Sequence, residues 1–401
     1  MTKQQAQVAQ PPKMGPTNIG FILVGFIVVG FLGYLAGALQ PSLNNGIRSL
    51  LGDSASQLDT SSLQETYQKL KDNFDGDIDD AALIDGANRG MVDALGDRYT
   101  VFMNEDEARE FNDSLSGNVG IGVGIEVALR DNQPTVVRVL RDNPAEKAGI
   151  KVGDKIVAVN GDSTIDATVT ATTQKIRGDE GTSVKVTMLR NGSKIDFTMV
   201  RHQINNPSVY TSQRDNIGIV TITRFDNDTG RLTRKAAQEF KTAGVKGVVL
   251  DLRGNGGGYV EAAKAVASIW LKDKLIVTEK TSSRIIEEIH STGDTILAGM
   301  PTVVLVDEGS ASASEIVAGA LRDHKVAKVV GQTTFGKGSV QQLLGLSGGA
   351  TLKVTIARWY TPSGRNISEE GIAPDLKVEM SVDDSNSGRD PQLDAALRQL
   401  R

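Results

Sequence analysis

A chain of 401 residues, 39% hydrophobic and 23% charged, is long enough to bury real cores and to form two or three domains. A net charge of -5 with no run of Lys or Arg sets nucleic acid aside as a partner. The absence of cysteine excludes disulfides, thiol nucleophiles and Cys-based zinc sites without fixing the compartment. Only 4% of residues are aromatic while 43 are glycine, so the cores rest on Val, Ile, Leu and Ala, and many positions need tight turns or close backbone approach.

Residues 1–18 read as a cytoplasmic tail. Residues 19–39, IGFILVGFIVVGFLGYLAGAL, are uncharged and apolar, and as a helix of about 30 Å they match a bilayer's hydrocarbon core. Lys3 and Lys13 precede the stretch while Asp53 and Asp59 follow it, so the positive-inside rule places the body outside the cytoplasm on a single-pass anchor in the cell membrane. The alternative is a cleaved signal ending near Ala36-Gly37-Ala38, which leaves a secreted or periplasmic protein. Residues 40–62, rich in Ser, Asn, Gly and Asp, form a tether.

Over residues 63–112 the apolar positions recur at helical spacing, as in IDDAALIDGANRGMVDAL, and predict a small domain of three short helices. Asn104 is placed to cap the third, whose first turn is acidic. Across residues 113–205 the pattern switches to short β-rich runs: GIGVGIEVAL, PTVVRVL, DKIVAVNG, TSVKVTML and SKIDFTMV. The run NPAEKAGIKVGDKIVAVNG, with the preceding glycines, resembles a PDZ domain. That resemblance makes Gly120, Ile121, Gly122 and Val123 the carboxylate-binding loop, whose N–H groups hold a substrate's terminal carboxylate while the peptide adds as a strand. Taken alone the glycines are explained as well by a hairpin or bulge. The same resemblance offers Arg177 as an arginine linking ligand binding to the rest of the protein, although an arginine in such a turn is ordinarily just solvated.

Residues 206–380 alternate apolar strands (IGIVTI, GVVLDL, TVVLVD, KVVGQ, TLKVTIARW) with helices (GRLTRKAAQEFKTA, YVEAAKAVASIW, ASEIVAGALRDH), which predicts a layered α/β domain with its site at the strand ends. Three segments follow strands there: DLRGNGGG at 251–258, GSASASE at 309–315 and TFGKGSVQ at 334–341. Together they resemble the carboxyl-terminal processing (tail-specific) proteases of the Ser-Lys type, over residues 63 to the C-terminus. The resemblance implies an α+β multidomain protein with a crotonase/ClpP-like protease core. It also implies Ser312 as nucleophile, Lys337 as general base and Gln341 as the residue orienting the lysine.

The residue types suit that chemistry. A serine hydroxyl needs a base to take its proton, and a lysine serves only if burial lowers its pKa. The oxyanion needs two backbone donors, Ala313 at a helix start and either Gly256 or Gly257. The ordinary reading of Ser312-Ala313-Ser314-Glu315 is a capping box. The glycines after Asp251 lack the spacing of a phosphate loop. His202, His290 and His324 are scattered, so a Ser-His-Asp triad has no evident base, though sequence alone leaves it open. Asp323 matches an acidic position of some relatives and reads as an ion-pair partner. Residues 381–401 end in an amphipathic helix with Leu393, Ala396, Leu397 and Leu400 at helical spacing. By resemblance it helps build a homo-oligomer, most simply a dimer, and otherwise it packs on its own core. The expected partners are protein substrates with apolar C-termini and an adaptor; no metal or organic cofactor is called for. The rival readings are a non-catalytic PDZ scaffold and a carrier of apolar carboxylic ligands.

Overall fold

The computed structural model describes residues 58–381, 383–384 and 387–401. The apolar segment 19–39 and the tail before it lie outside the described residues, as does most of the 40–62 tether. Among the described residues no helix is long and apolar enough to cross a membrane. The described residues divide into two compact units, residues 58–80 and 81–401. In the first, helix α1 (Ser61–Asn73) places its Lys71 ammonium 3.2 Å from Asp80.

The other two helices expected before the β-rich region follow, α2 (Asp80–Asp93) and, after a short strand β1 (Val101–Met103), α3 (Glu105–Ser116). Asn104 does cap α3: its Oδ1 accepts the Glu107 N–H at 3.1 Å, and the Glu107 carboxylate accepts the Asn104 N–H at 3.0 Å. Strand β1, three residues long with a partner about 250 residues later, is too short to show a period and was not expected.

The PDZ fold comprises β2 (Ile121–Gly122), β3 (Ile125–Arg130), β4 (Gln133–Val139), α4 (Pro144–Ala148), β5 (Lys155–Val159), β6 (Asp162–Ser163), α5 (Val169–Ile176), β7 (Ser183–Arg190), β8 (Ser193–Val200) and β9 (His202–Gln203). Its sheet runs β3-β4-β5-β7-β8 with β3 at the edge, while β2 pairs separately with β9. Alternating residues such as Val184, Val186 and Met188 fill the core, and their neighbours face out, as a half-buried sheet requires.

The C-terminal region begins with β10 (Val209–Arg214), β11 (Ile217–Ile222), α6 (Thr229–Ala243), β12 (Gly247–Asp251) and α7 (Val260–Ala267). It continues with β13 (Leu275–Lys280), β14 (Ile285–His290), β15 (Thr302–Val306), α8 (Ala313–Asp323) and β16 (Ala327–Gly331). It closes with β17 (Ser339–Gly345), β18 (Thr351–Tyr360), β19 (Leu376–Lys377) and the C-terminal helix α9 (Pro391–Gln399). Strands β11, β12, β15, β16 and β19 are parallel neighbours, with β10 antiparallel at one edge. Every residue of β12 and β15 is buried, because both faces of the sheet are covered. Val248, Leu250, Val304 and Val306 pack with α6, α7 and α8. Val249, Val303 and Leu305 pack with Leu393, Ala396 and Leu397 of α9. The apolar stripe of the C-terminal helix is therefore spent on its own core. A second sheet runs β1-β18-β13-β14 with β17 on the other side of β18, and its β17 and β18 line the same cavity as Gly256, Ser312 and Lys337.

Candidate active site

Three loops meet where β12, β15 and β16 end, and hydrogen bonds from their own residues sew them together. The Asn255 carbonyl accepts the Ala311 N–H at 3.0 Å and the Ser314 hydroxyl at 2.8 Å. Ser310 donates its hydroxyl to Leu252 O at 2.8 Å, and the Phe335 N–H donates to Ser310 O at 3.0 Å. Two of the three serines of the GSASASE segment are thus occupied in holding the loops. Among them only Ser312 lines the cavity above, a space of about 940 Å³ bounded by the three loops, α3, β17, β18 and the PDZ fold.

Ser312 sits at the turn from strand to helix with φ 54°, a strained conformation for a residue with a side chain. Such a turn presents a hydroxyl at the tip of a sheet. Gly257 makes room for it: a Cβ there would stand 2.8 Å from both Ser312 Cβ and Ala311 O.

Glu315, fully buried one turn into α8, holds the rest. Its Oε2 accepts the Ser312 N–H at 2.8 Å and the Lys337 N–H at 3.0 Å, while Oε1 accepts the Gly336 N–H at 2.8 Å and the Thr334 hydroxyl at 2.5 Å. Burial pushes this carboxyl above its ordinary value, and the four donors only partly oppose that. The capping-box reading of Glu315 captures its bond to Ser312 N and misses the three donors that reach it from elsewhere in the chain.

Lys337 lines the same cavity, partly buried, with its Nζ 5.5 Å from the centre of the Tyr99 ring. Burial lowers its pKa, and the charge of Lys353 lowers it further, against a smaller pull from Glu315. Its backbone is fixed by Trp359, whose indole N–H donates to Lys337 O at 2.9 Å. Gln341 also faces the cavity, but its side-chain NH₂ donates to Ser339 Oγ at 2.7 Å and Thr355 Oγ1 at 3.4 Å, and no hydrogen bond joins it to Lys337.

Of the two glycines offered as oxyanion donors, Gly257 has its N–H engaged by Asn255 Oδ1 at 2.9 Å. The Gly256 N–H has no acceptor among the described residues, and Ala313 is the first residue of α8. In the PDZ fold Gly120 has φ 72°, Ile121 and Gly122 form β2, and Val123 is buried. Val123 and Gly124 use their carbonyls on Ala145 and Leu140 while their N–H groups have no acceptor among the described residues. Arg177, exposed at the end of α5, makes no ion pair among the described residues and lines the same cavity as Ser312 and Lys337.

None of the three histidines lines this cavity: His202 lies 2.9 Å from Glu180, His324 Nε2 meets Leu275 O at 2.6 Å, and His290 lies on β14. Asp323 accepts the Ser363 N–H at 2.9 Å, a structural contact. The histidine triad left open by the sequence is not assembled here. Sequence reasoning missed Tyr99 and Lys353. The first comes from a segment read only as a link between helices, and the second is one alternating position on a strand, with no signal of its own.

Residues 216–378 match the peptidase family S41, residues 121–200 a PDZ domain, and residues 44–107 the N-terminal domain of the activating protease CtpB. The carboxy-terminal processing protease CtpA of Bacillus subtilis is 36% identical over 84% of this chain and 73% of its own length. The chain belongs to the S41 carboxy-terminal processing proteases. It is a serine-type peptidase. CtpB of Bacillus subtilis is 33% identical over 79% of this S41 peptidase and 67% of its own length. A CtpA-like serine protease of Staphylococcus haemolyticus is 36% identical over 79% of this chain, which spans 64% of that relative. Among solved structures, the photosystem II D1 C-terminal processing protease superposes with a TM-score of 0.56 at 30% identity, covering 80% of this chain and 87% of that one.

Proposed function

We propose that this peptidase is an endopeptidase in which Ser312 attacks a peptide bond and Lys337 takes its proton, through an acyl-enzyme that water releases. The observation that carries the reading is the shared Glu315 oxygen, which fixes the two backbones bearing hydroxyl and amine to one point beside one cavity. Burial in the cavity wall lowers the Lys337 pKa, in the direction that favours the neutral amine able to accept the proton. Ala313 N–H and Gly256 N–H are the pair that receives the oxyanion, since Gly257's is already engaged. Gln341 reaches Lys337 through its free carbonyl oxygen once substrate fills the cavity.

The unfilled N–H groups of Val123 and Gly124 take the substrate's terminal carboxylate, and the open edge of β3 takes its last residues as an added strand. An apolar C-terminus suits the groove between β3 and α5, and Arg177 links that event to the cavity. The segment 19–39 anchors the enzyme in the cell membrane with its body outside the cytoplasm, where it processes or degrades envelope proteins as a homo-oligomer, with an adaptor delivering substrates. Because α9 is spent on its own sheet, contacts between copies come from other surfaces.

The test is cleavage of an unstructured protein ending in an apolar residue by the full-length enzyme, beside Ser312→Ala and Lys337→Ala. General-base catalysis contributes about 10²–10⁴-fold, so each variant should lose at least that while staying folded. Folded variants that bind the tail while the parent fails to cut it would favour the scaffold reading.

A further inference from the structure

Lys337 is not the only lysine in the cavity. Lys353 on β18 lines it too, and neither ammonium has a carboxylate partner among the described residues. The strand register sets the relation. Lys353 lies opposite Leu343 and Thr355 lies opposite Gln341, so Lys353 and Thr355 share the sheet face on which Gln341 meets Thr355 Oγ1. On its other side Lys353 is paired with Val101 of β1, two residues after Tyr99. The N-terminal helical segment then places a ring on each lysine: Tyr99 at 5.5 Å from Lys337 Nζ and Phe111 of α3 at 5.2 Å from Lys353 Nζ.

We propose that Lys353 is a positioning residue for the base, a second cation held in the same cavity that keeps Lys337 in its neutral, proton-accepting form. The inference rests on the reading of Lys337 as the base. A charge approaching an amine of like sign in a site poor in water costs more than in bulk solvent, so the pair does not hold two protons as readily as either lysine would alone. The rings act in the opposite sense, since an ammonium over an aromatic face is favoured in its charged form, so the like-charge repulsion has that pull to overcome. Other charged groups face the pair from several elements. From α8, Glu315 attracts the Lys337 proton, but its oxygens are occupied by four donors. From α3, Glu110 and Asp113 line the cavity, and β13 adds Glu279, a buried carboxyl that is itself pushed up by burial and by Glu287 and Glu261. Among the described residues none of them forms an ion pair with either lysine, so the repulsion is opposed by the weaker pull of Glu315 but not cancelled by a contact partner. Of the two lysines, Lys353 lacks the fixed backbone contact to Glu315 that places Lys337 beside Ser312, which is why Lys353 is assigned as the tuner and Lys337 as the base.

The direct test needs no turnover. In full-length protein carrying lysines labelled with ¹³C at Cε, the resonance lost in Lys337→Met is titrated by NMR in the parent, in Lys353→Met and in Lys353→Arg. The midpoint should rise in Lys353→Met and hold near the parental value in Lys353→Arg, which retains the charge. In cleavage assays the acidic limb of the kcat/KM profile should move to higher pH in Lys353→Met, with the rate at neutral pH roughly 3- to 10-fold down and recovering in alkali. An unchanged midpoint in folded Lys353→Met overturns the proposal, whether or not the enzyme cuts. A midpoint that moves in a protein whose parent never cuts would retain the electrostatic pair and overturn only the catalytic reading beneath it.

Discussion

Ser312 and Lys337, 25 positions apart in sequence, donate their backbone N–H groups to the same oxygen of Glu315, at 2.8 and 3.0 Å. The two side chains that the proposed chemistry needs are thus referenced to one buried carboxyl rather than to each other. Removing it would orphan four donors in a dry interior, and each unsatisfied group costs about 1–3 kcal/mol. Glu315→Ala should therefore lower stability by at least roughly 4 kcal/mol in urea unfolding and abolish cleavage. Glu315→Gln, which keeps the shape, should retain more stability yet remain at least about 100-fold less active, because its NH₂ end turns a donor toward other donors. An active, stable Glu315→Ala would show that the loops hold themselves.

A second clasp ties the active-site loop to the chain's end. Arg253 places its guanidinium between Asp251, at 2.7–2.9 Å, and Asp390, at 2.9 Å on two oxygens, and adds a bond to Gln392 at 3.0 Å. Asp390 also caps α9 by accepting the Leu393 N–H at 2.9 Å. Burial acts to raise the Asp390 pKa, but the Arg253 and Leu393 bonds outweigh it and leave the carboxyl below its ordinary value. A depressed carboxyl contributes stability that is present above its unfolded pKa, about 3.9, and is lost as pH falls through the lower folded value. Asp390→Asn keeps a competent cap and removes only the charge. It should cost about 1–3 kcal/mol at neutral pH, and its gap from the parent should close only below about pH 4. A gap that is constant down to pH 3 would argue against the charge.

How much of this was written in the sequence depends on the range of each interaction. The parallel strands around Gly247–Asp251 and Thr302–Val306 and their helices are local, periodic patterns, and they lie where the pattern puts them. The three loop motifs were legible for the same reason, since each is contiguous. Strand β1 was not, because Val101–Met103 is too short to show a period and exists only through its pairing with Thr351–Lys353. Strand β14 was missed because IIEEIH is largely exposed and does not alternate in and out of a core, and β13 because LIVTEK, buried at four of its six residues, shows no alternating period. Glu315 was visible as a cap because that bond spans three residues. Its other partners, 19 to 22 residues away, were set by the folding of a different loop. The choice between Gly256 and Gly257 likewise needed the Asn255 side chain's direction, which no spacing encodes.

Those two adjacent glycines make the sharpest contrast available. Gly257 has φ 103°, and an added Cβ would lie 2.8 Å from Ala311 O and Ser312 Cβ, both fixed parts of the nucleophile turn. Gly257→Ala must therefore displace Ser312, and near an attacking atom a displacement of about 1 Å can cost about 100-fold. Gly256 has nothing within 4 Å of an added Cβ and lacks the left-handed φ that penalises a side chain. Gly256→Ala should fold with the parent's stability, to within about 0.5 kcal/mol, so any loss of cleavage there reads on the substrate side of the loop rather than on the fold. The proposed geometry expects Gly257→Ala to lose activity at every substrate concentration, through kcat. It expects Gly256→Ala, whose N–H survives, to lose far less. Equal losses in both, with unfolding curves unchanged, would move the oxyanion donor from Gly256 N–H to another group.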